Sequence, residues 1–135
     1  MTVDELIESF SLFSDWQDRY QYLIDLGRAL PPMSDADKTE ENRVKGCLSQ
    51  VWIKLRSVDG RIDFDGDSDS AIVKGLVAIV RVVFVGQPTS GARKIGLEDT
   101  FAKLGLAEHL SPNRRNGFFS MVEMIRSLAD KEARR

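Results

Sequence analysis

The fold is decided by the stretch Val51-Trp52-Ile53-Lys54-Leu55-Arg56-Ser57-Val58-Asp59-Gly60-Arg61-Ile62-Asp63-Phe64-Asp65. Its first half places the apolar residues Val51, Ile53 and Leu55 at every second position, which is the period of a half-buried strand. Asp59-Gly60 is a typical two-residue hairpin turn, and the returning half alternates in the same way. Trp52 falls on the otherwise polar side. The stretch therefore predicts a β-hairpin.

Helices are predicted before the hairpin. Thr2 and Glu5 have the spacing of a capping box, and apolar residues follow them at helical intervals. Ser14 and Gln17 form a second box, which opens a longer amphipathic helix that ends at a pair of prolines. The polar and acidic residues 32–42 have no period that could bury one face, so we expect a surface loop there.

The residues that follow the hairpin are predicted to be helical again. Residues 71–85 are predicted to form a core helix, because some 15 residues is long for a strand. Ser68 or Asp69 can cap this helix. Residues 87–96 contain proline and glycine and indicate a loop. A short extra strand over residues 92–95 is an alternative within that loop.

Two further helices complete the prediction. One covers residues 97–104, and the last begins at Ser111-Pro112, where serine is a good N-cap and proline suits the first helical position. Helices on both sides of a hairpin predict an α+β fold, with a small antiparallel sheet against which the helices pack. The length of 135 residues, of which 42% are hydrophobic, predicts a single domain over residues 1–135.

The charge balance makes nucleic acid an unexpected partner, because 21 acidic and 19 basic residues leave a net charge of -2. The longest apolar segment, residues 71–85, contains Lys74 and Arg81 and is shorter than the roughly 20 residues that span a bilayer. The polar residues 2–5 do not resemble a secretion signal. We therefore expect a cytoplasmic protein that binds neither nucleic acid nor membrane.

The chain has one cysteine, Cys47, and one histidine, His109. These two residues cannot form an internal disulfide, supply the about four ligands of a structural zinc site, or hold an iron–sulfur cluster. We therefore expect no metal and no bound cofactor in this chain. Cys47 and His109 could act as nucleophile and base if the fold brings them together. The alternative is a histidine that orders the turn before the last helix.

Cys47 itself has two interpretations. A free cysteine is often a small buried hydrophobic residue. Three features favour a reactive thiol instead. Gly46 permits close approach of a partner backbone, the position joins a loop to a strand, and Arg43 and Lys45 are near enough in sequence to favour the thiolate. The residues alone leave both interpretations open.

Two other groups of residues break local patterns. The acidic residues 63–69 suggest a calcium loop, but Ser70 occupies the required glycine position and Leu76 that of the bidentate glutamate. We expect a hairpin rim and a helix cap there instead.

Arg114 and Arg115 place two cations in the first turn of the last helix, against the preference of the helix dipole. A functional site and a solvated pair are both compatible with this arrangement.

The residues around the cysteine resemble a family signature. Residues 46–52 match the pattern G-C-x-S-Q-V-W of the SufE-type sulfur acceptor proteins, the cysteine desulfuration proteins that include the CsdE branch. Residues 66–76 and 109–117 agree with two further blocks of that family in order and spacing. The resemblance covers nearly the whole chain. One departure is Ala102, where family members can carry a glutamate, so a role for an acid there is not carried over.

The resemblance implies a sulfur acceptor and carrier rather than an enzyme. SufE-like proteins accept sulfane sulfur from the persulfide of a PLP-dependent cysteine desulfurase of the SufS or CsdA type and stimulate that enzyme. They pass the sulfur to an iron–sulfur scaffold or another acceptor protein. The implied α+β fold also resembles that of NifU-like scaffolds, although one cysteine is too few for a scaffold. A homodimer is compatible with the sequence.

Carried onto this chain, the signature makes Cys47 the persulfide acceptor. The residues that could support it or contact a partner are Arg43, Lys45, Gly46, Ser49, Gln50, Trp52, Asp69, His109 and Arg114. The rival hypothesis is a non-catalytic interaction module that regulates a partner enzyme, with Cys47 merely structural. A one-cysteine peroxide reductase is disfavoured because no strong activating motif surrounds the thiol.

Overall fold

The computed structural model describes all 135 residues. Its elements, in order, are α1 (Val3–Ser11), α2 (Trp16–Arg28), β1 (Val51–Val58), β2 (Arg61–Ser68), α3 (Ala71–Phe84), α4 (Leu97–Lys103), α5 (Leu106–His109) and α6 (Pro112–Ala133). Two short 3-10 helices, Asp35–Asp37 and Thr89–Lys94, lie in the connections. None of the helices combines the length and the apolarity that a membrane crossing requires. The predicted class, helices packed against a small antiparallel sheet, is confirmed.

The predicted hairpin forms the only sheet, and its two strands are antiparallel. Asp59 and Gly60 have φ angles of 54° and 75°, the left-handed conformations that this kind of two-residue turn requires. At the far end of the ladder, Val51 pairs with Ser68. One face of the sheet belongs to the core, and its buried apolar residues are Val51, Ile53, Ile62 and Phe64.

The apolar segment after the hairpin is the central helix α3, as predicted. It packs against α2 and against β2. A Cβ atom added at Gly27 of α2 would lie 2.7 Å from the backbone nitrogen of Gly75 in α3, so the pair of glycines allows the two helices to approach closely. The hydrophobic core comprises 26 buried residues drawn from all six helices and both strands.

Polar side chains cap α1, α2, α3 and α6, although the caps of α2 and α3 are not the predicted residues. Thr2 and Glu5 form the predicted capping box of α1, and Ser111 caps α6. The prediction of Ser14 as the cap of α2 is wrong, because the helix begins one residue later. The carboxylate of Asp15 caps it instead, and a negative charge at this end also suits the helix dipole.

The cap of α3 also differs from the prediction. Ser70 accepts a hydrogen bond from the Val73 N–H, whereas Ser68 and Asp69 were the predicted caps. Both of these residues are engaged elsewhere. Ser68 ends β2 and its hydroxyl accepts a bond from the Ser70 N–H, while the Asp69 carboxylate accepts one from the Gln50 N–H. The helix begins at residue 71, as predicted, and only its capping residue differs.

The connection between α3 and α4 contains no strand, so the alternative of a strand over residues 92–95 is wrong. Only its first residues pair with the sheet. The Ile62 N–H donates to the Gln87 carbonyl at 2.8 Å, and Pro88 forms an isolated bridge to β2. Proline has no N–H with which a ladder could continue, and the 3-10 helix Thr89–Lys94 follows at once.

The short helix α5 was not predicted. It is a single turn that follows Gly105, whose φ of 75° separates it from α4. One turn is too short to show an apolar period, so the sequence carries little signal for it.

Candidate functional site

The cysteine lies in a loop that reverses the chain beside β1. The residues just before this loop run antiparallel to the strand, since the Val44 N–H donates to the Val51 carbonyl and the Ile53 N–H to the Asn42 carbonyl, both at 2.8 Å. Residues 45–50 therefore form the cysteine loop, a connection between two paired segments. This pairing was not predicted, because the buried Val44 is the only apolar residue of its segment.

Both ends of the cysteine loop are held by specific contacts. Gly46 has a φ of 88°, and a Cβ atom there would lie 2.9 Å from the Oγ atom of Ser120 in α6. At the other end, Gln50 and Asp69 exchange two hydrogen bonds. The Gln50 N–H donates to Asp69 Oδ1 at 3.1 Å, and the Asp69 N–H donates to the Gln50 carbonyl at 3.2 Å. The loop is thus tied to α6 and to the segment between β2 and α3.

The sulfur atom of Cys47 rests against α6. The thiol is half-buried, and its Sγ donates to the carbonyl oxygen of Gly117 at 3.5 Å. A Cβ atom at Gly117 would lie 3.2 Å from Sγ. Glycine inside a helix costs about 1 kcal/mol relative to alanine, so the close approach of the sulfur explains why glycine stands here. Gly117 was not singled out in the sequence, although a glycine within the apolar face of α6 was a signal for it.

Burial raises the pKa of the Cys47 thiol above its ordinary value, and the positive charge of Arg43 opposes this only in part. Arg43 therefore favours the thiolate, as expected, but burial is the larger effect and sets the direction of the shift. Glu40 lies close to both cations. Its carboxylate binds Nζ of Lys45 and lies 3.7 Å from Nη1 of Arg43, and the hydrogen bond from Lys45 lowers the pKa of Glu40. At neutral pH the resting thiol is therefore protonated.

A cavity of about 350 Å³ lies beside Cys47. Apolar side chains of α3 and α6 line part of it, and residues of the cysteine loop and of the first turn of α6 line the rest. The lining residues are Cys47, Leu48, Ser49, Val73, Leu76, Ser111, Asn113, Arg114, Gly117 and Phe118. An apolar cavity with a few polar groups around one nucleophile is typical of a functional site.

The two arginines in the first turn of α6 have different surroundings. Arg114 is exposed and lines the cavity, which contains no acidic residue. Arg115 is partly buried, and its Nη1 donates to the carbonyl oxygen of Ala107 at 2.7 Å. The fold therefore brings Arg114 to the cysteine, while Arg115 ties α6 to α5.

His109 does not line the cavity, so the structure does not bring it together with Cys47 as nucleophile and base. Its ring stacks on that of Trp16 with a centroid distance of 3.7 Å. Its carbonyl oxygen accepts a hydrogen bond from the Tyr20 hydroxyl. The histidine thus ties α5 to α2 just before the last helix begins.

Of the remaining predicted support residues, Ser49 lines the cavity and the others lie around the loop. The half-buried Trp52 stands on the outer face of β1, where Nζ of Lys38 lies 5.8 Å from the ring centroid. The backbone of Trp52 bridges Arg43, so this side of the hairpin stabilises the approach to the cysteine loop. Gln50 is exposed and contributes through its backbone.

The acidic run, residues 63–69, forms a hairpin rim, as predicted. Its ion pairs are Arg56–Asp63 at 2.8 Å, Arg56–Asp65 at 3.0 Å, Lys38–Asp67 at 3.0 Å and Lys74–Asp67 at 3.4 Å. No group of three or more histidine, cysteine or acidic residues is arranged to hold a metal ion. The last acid, Asp69, holds the cysteine loop instead of capping a helix.

Comparison with known proteins shows the family. Residues 4–129 match the family described as SufE, Fe-S metabolism associated domain. A SufE-like protein of Rhizobium meliloti (strain 1021) is 44% identical over 133 residues, which cover 96% of this chain and 95% of that protein. A SufE-like protein of Rhizobium etli is 43% identical over 136 residues, which cover 98% and 92%.

A solved structure supports the fold. The solution structure of a hypothetical protein from Thermus thermophilus superimposes with a TM-score of 0.70 at 18% identity, and the match covers 100% of both chains. At this identity the likeness concerns the fold alone. The family match over residues 4–129 and the rhizobial relatives give the identification: the chain belongs to the SufE family of Fe-S metabolism associated proteins.

Proposed function

We propose that this protein is a sulfur acceptor and carrier. It takes sulfane sulfur from the persulfide of a PLP-dependent cysteine desulfurase onto Cys47, stimulates that enzyme, and delivers the sulfur to an iron–sulfur scaffold or another acceptor. The observation that carries the proposal is the position of the single cysteine on the wall of the cavity of about 350 Å³, in a chain of the SufE family.

The transfer is a thiol exchange that needs no external oxidant or reductant. The Cys47 thiolate attacks the terminal sulfur of the donor persulfide, the sulfur–sulfur bond of the donor breaks, and the donor thiolate leaves with the electron pair. A new bond joins the terminal sulfur to Sγ. The proton of the Cys47 thiol balances the released donor thiol, so the products are a Cys47 persulfide and a free donor cysteine.

The surroundings of Cys47 suit a carrier that reacts only with its partner. Because burial raises the pKa of the thiol, the isolated protein keeps it protonated, and the thiolate is the reactive form. The chain contains no second cysteine that could discharge the persulfide as an internal disulfide. In the reducing cytoplasm, where we place the protein, the thiol stays free for the exchange. PLP belongs to the partner, and this chain acts as an accessory protein rather than as an enzyme.

Arg114 and Asp69 have separate roles in this proposal. Arg114 is an exposed cation that lines the cavity, and no acidic residue of this chain lines the cavity with it. Its guanidinium group therefore suits the binding of a carboxylate of the partner. Asp69 holds the far end of the cysteine loop through the Gln50 N–H. Arg43 and Lys45 are engaged by Glu40, and the positive charge of Arg43 offsets only part of the effect of burial on the Cys47 thiol.

The test is direct. The protein is incubated with a cysteine desulfurase encoded in the same genome and with free cysteine, and its intact mass is then measured. We expect the mass of one added sulfur atom on the wild type, its removal by a reducing thiol, and no addition to Cys47→Ser. The desulfurase should turn over faster when the wild type is present. A wild type that gains no sulfur while the desulfurase turns over would refute the proposal.

One observation favours the rival hypothesis of a regulatory module. Cys47 is half-buried and bonded to the Gly117 carbonyl, as a purely structural thiol would be. The two hypotheses differ in what Cys47→Ser does to the desulfurase. A carrier loses its stimulation together with the thiol, whereas a regulatory module still accelerates the enzyme when the thiol is replaced.

A further inference from the structure

The residue after the cysteine is the most exposed large hydrophobic side chain of the chain. Leu48 is 83% exposed, against 77% for Leu12, 61% for Met1 and 50% for Val58. Isolated exposed leucines are ordinary on protein surfaces, so exposure alone means little. The position of Leu48 is what distinguishes it, because it is bonded to Cys47 and lines the same cavity.

Leu48 is exposed at the middle of a loop that is held at both ends. On one side Gly46 packs on Ser120, and on the other Gln50 and Asp69 exchange two hydrogen bonds. The side chain is therefore presented by an ordered loop and not by a frayed terminus. The cavity that Leu48 lines is also lined by the apolar side chains of Val73, Leu76 and Phe118.

The geometry of sulfur transfer requires a donor to cover this side chain. The Cα atoms of adjacent residues are about 3.8 Å apart, so a donor sulfur in contact with Sγ of Cys47 brings the surface around it onto Leu48. A small donor can reach the sulfur without doing so, but an enzyme cannot. Removing a leucine side chain from water stabilises a complex, which gives a donor with an apolar surface at this point an advantage.

We propose that Leu48 is a specificity residue for the sulfur donor, and that it enters an apolar pocket at the mouth of the desulfurase active site when the persulfide is presented to Cys47. This inference rests on the proposed function. Leu48 takes no part in the chemistry. It lowers the concentration of acceptor at which transfer is half-maximal, and it leaves the rate of the transfer step unchanged.

The experiment compares Leu48→Ala with Leu12→Ala, a control that removes a similarly exposed leucine at the end of α1. Sulfur loading of Cys47 is measured by intact mass at several acceptor concentrations, with desulfurase and free cysteine as the donor. Loading by inorganic polysulfide, which offers no pocket, is measured in parallel. Thermal unfolding of each variant checks that the fold is unchanged.

For Leu48→Ala we expect the KM for the acceptor to rise about tenfold, which corresponds to about 1.4 kcal/mol. We expect kcat and the rate of loading by polysulfide to stay at the wild-type values, and Leu12→Ala to behave as the wild type. Leu48→Asp, which places a charge in the apolar pocket, should raise KM further.

Three results would overturn the inference. They are a KM for Leu48→Ala within twofold of the wild type, an equal rise in KM for Leu12→Ala, and a parallel loss of loading by polysulfide, which would mean that Leu48 acts on the thiol itself. Failure of the proposed function looks different, because the wild type would then take no sulfur from the desulfurase. That result would remove the inference as well.

Discussion

Replacing Gly117 by alanine is expected to expose the thiol of Cys47. The added Cβ atom would lie 3.2 Å from Sγ, 3.9 Å from Cβ and 4.0 Å from Cα of Cys47. Ordinary non-bonded contacts between such atoms begin near 3.5–4.0 Å, so only the sulfur is too close. The sulfur must therefore move outward by a few tenths of an ångström, which lengthens the 3.5 Å contact between Sγ and the Gly117 carbonyl.

Two opposing terms decide the effect of Gly117→Ala on stability. Overpacking of a well-filled site costs about 1–3 kcal/mol. Alanine in place of glycine in a helix interior contributes about 1 kcal/mol in the other direction. The free energy of unfolding should therefore fall by roughly 0–2 kcal/mol, and the protein should remain folded. The effect on the thiol should be clearer than the effect on stability.

The assay is the rate of alkylation by iodoacetamide as a function of pH. Since burial raises the pKa of Cys47, partial exposure should move the apparent pKa down toward that of a free cysteine. The alkylation rate at neutral pH should then rise several-fold, because each unit of pKa changes the thiolate fraction about tenfold.

The matched control for this experiment is Gly91→Ala. A Cβ atom at Gly91 meets nothing within 4 Å, so that variant should react at the wild-type rate. A Gly117→Ala protein that is less stable but alkylates at the wild-type rate would refute the reasoning, because the sulfur would then have relaxed without leaving its shelter.

Two further predictions concern pH and the first turn of α6. Because burial raises the pKa of folded Cys47, the stability it contributes is complete below about pH 8.5 and is lost as pH rises through the folded pKa. Urea unfolding should show the wild type losing stability relative to Cys47→Ser as the pH rises above about 8.5, and a constant difference would contradict this. Arg115→Ala should lower the free energy of unfolding by about 1 kcal/mol through loss of the bond to Ala107, whereas Arg114→Ala should change it by less than about 0.5 kcal/mol and weaken stimulation of the desulfurase. Equal destabilisation by both substitutions in urea unfolding would contradict this difference.

The elements that the sequence predicted well are those that depend on neighbouring residues. The hairpin follows from alternation over β1 and β2 and from Asp59-Gly60, all of which are local. Helix α6 follows from Ser111-Pro112 and a long apolar period. The caps of α2 and α3 were harder, because several adjacent residues could serve, and the end of β2 decided between them at α3.

The environment of the cysteine could not be predicted, because it depends on residues far apart in sequence. Cys47 meets Gly117 across 70 positions, and the cavity combines the cysteine loop with α3 and α6. The net pKa shift of the Cys47 thiol could not be predicted for a related reason, because burial outweighs the effect of Arg43. Lys45 and Arg43 are close to Cys47 in sequence, but the non-periodic segment before them places Glu40 against both cations. Proximity in sequence therefore indicated the effect of Arg43 on the thiol but not the larger effect of burial.

The opposite exposure of Cys47 and Leu48 suggests how a sheltered thiol can still transfer sulfur. The far end of the cysteine loop depends on the two hydrogen bonds between Gln50 and Asp69, each worth about 0.5–1.5 kcal/mol. Burial of a leucine side chain by a partner stabilises the complex by about 1.5–3 kcal/mol, which is of the same size. A donor that covers Leu48 is therefore expected to gain enough free energy to stay bound while this loop rearranges, so that Leu48 acts on binding and not on the transfer step. In the free protein the same loop keeps the thiol protonated, so the reactivity of Cys47 is expected to belong to the complex with the donor rather than to the isolated chain.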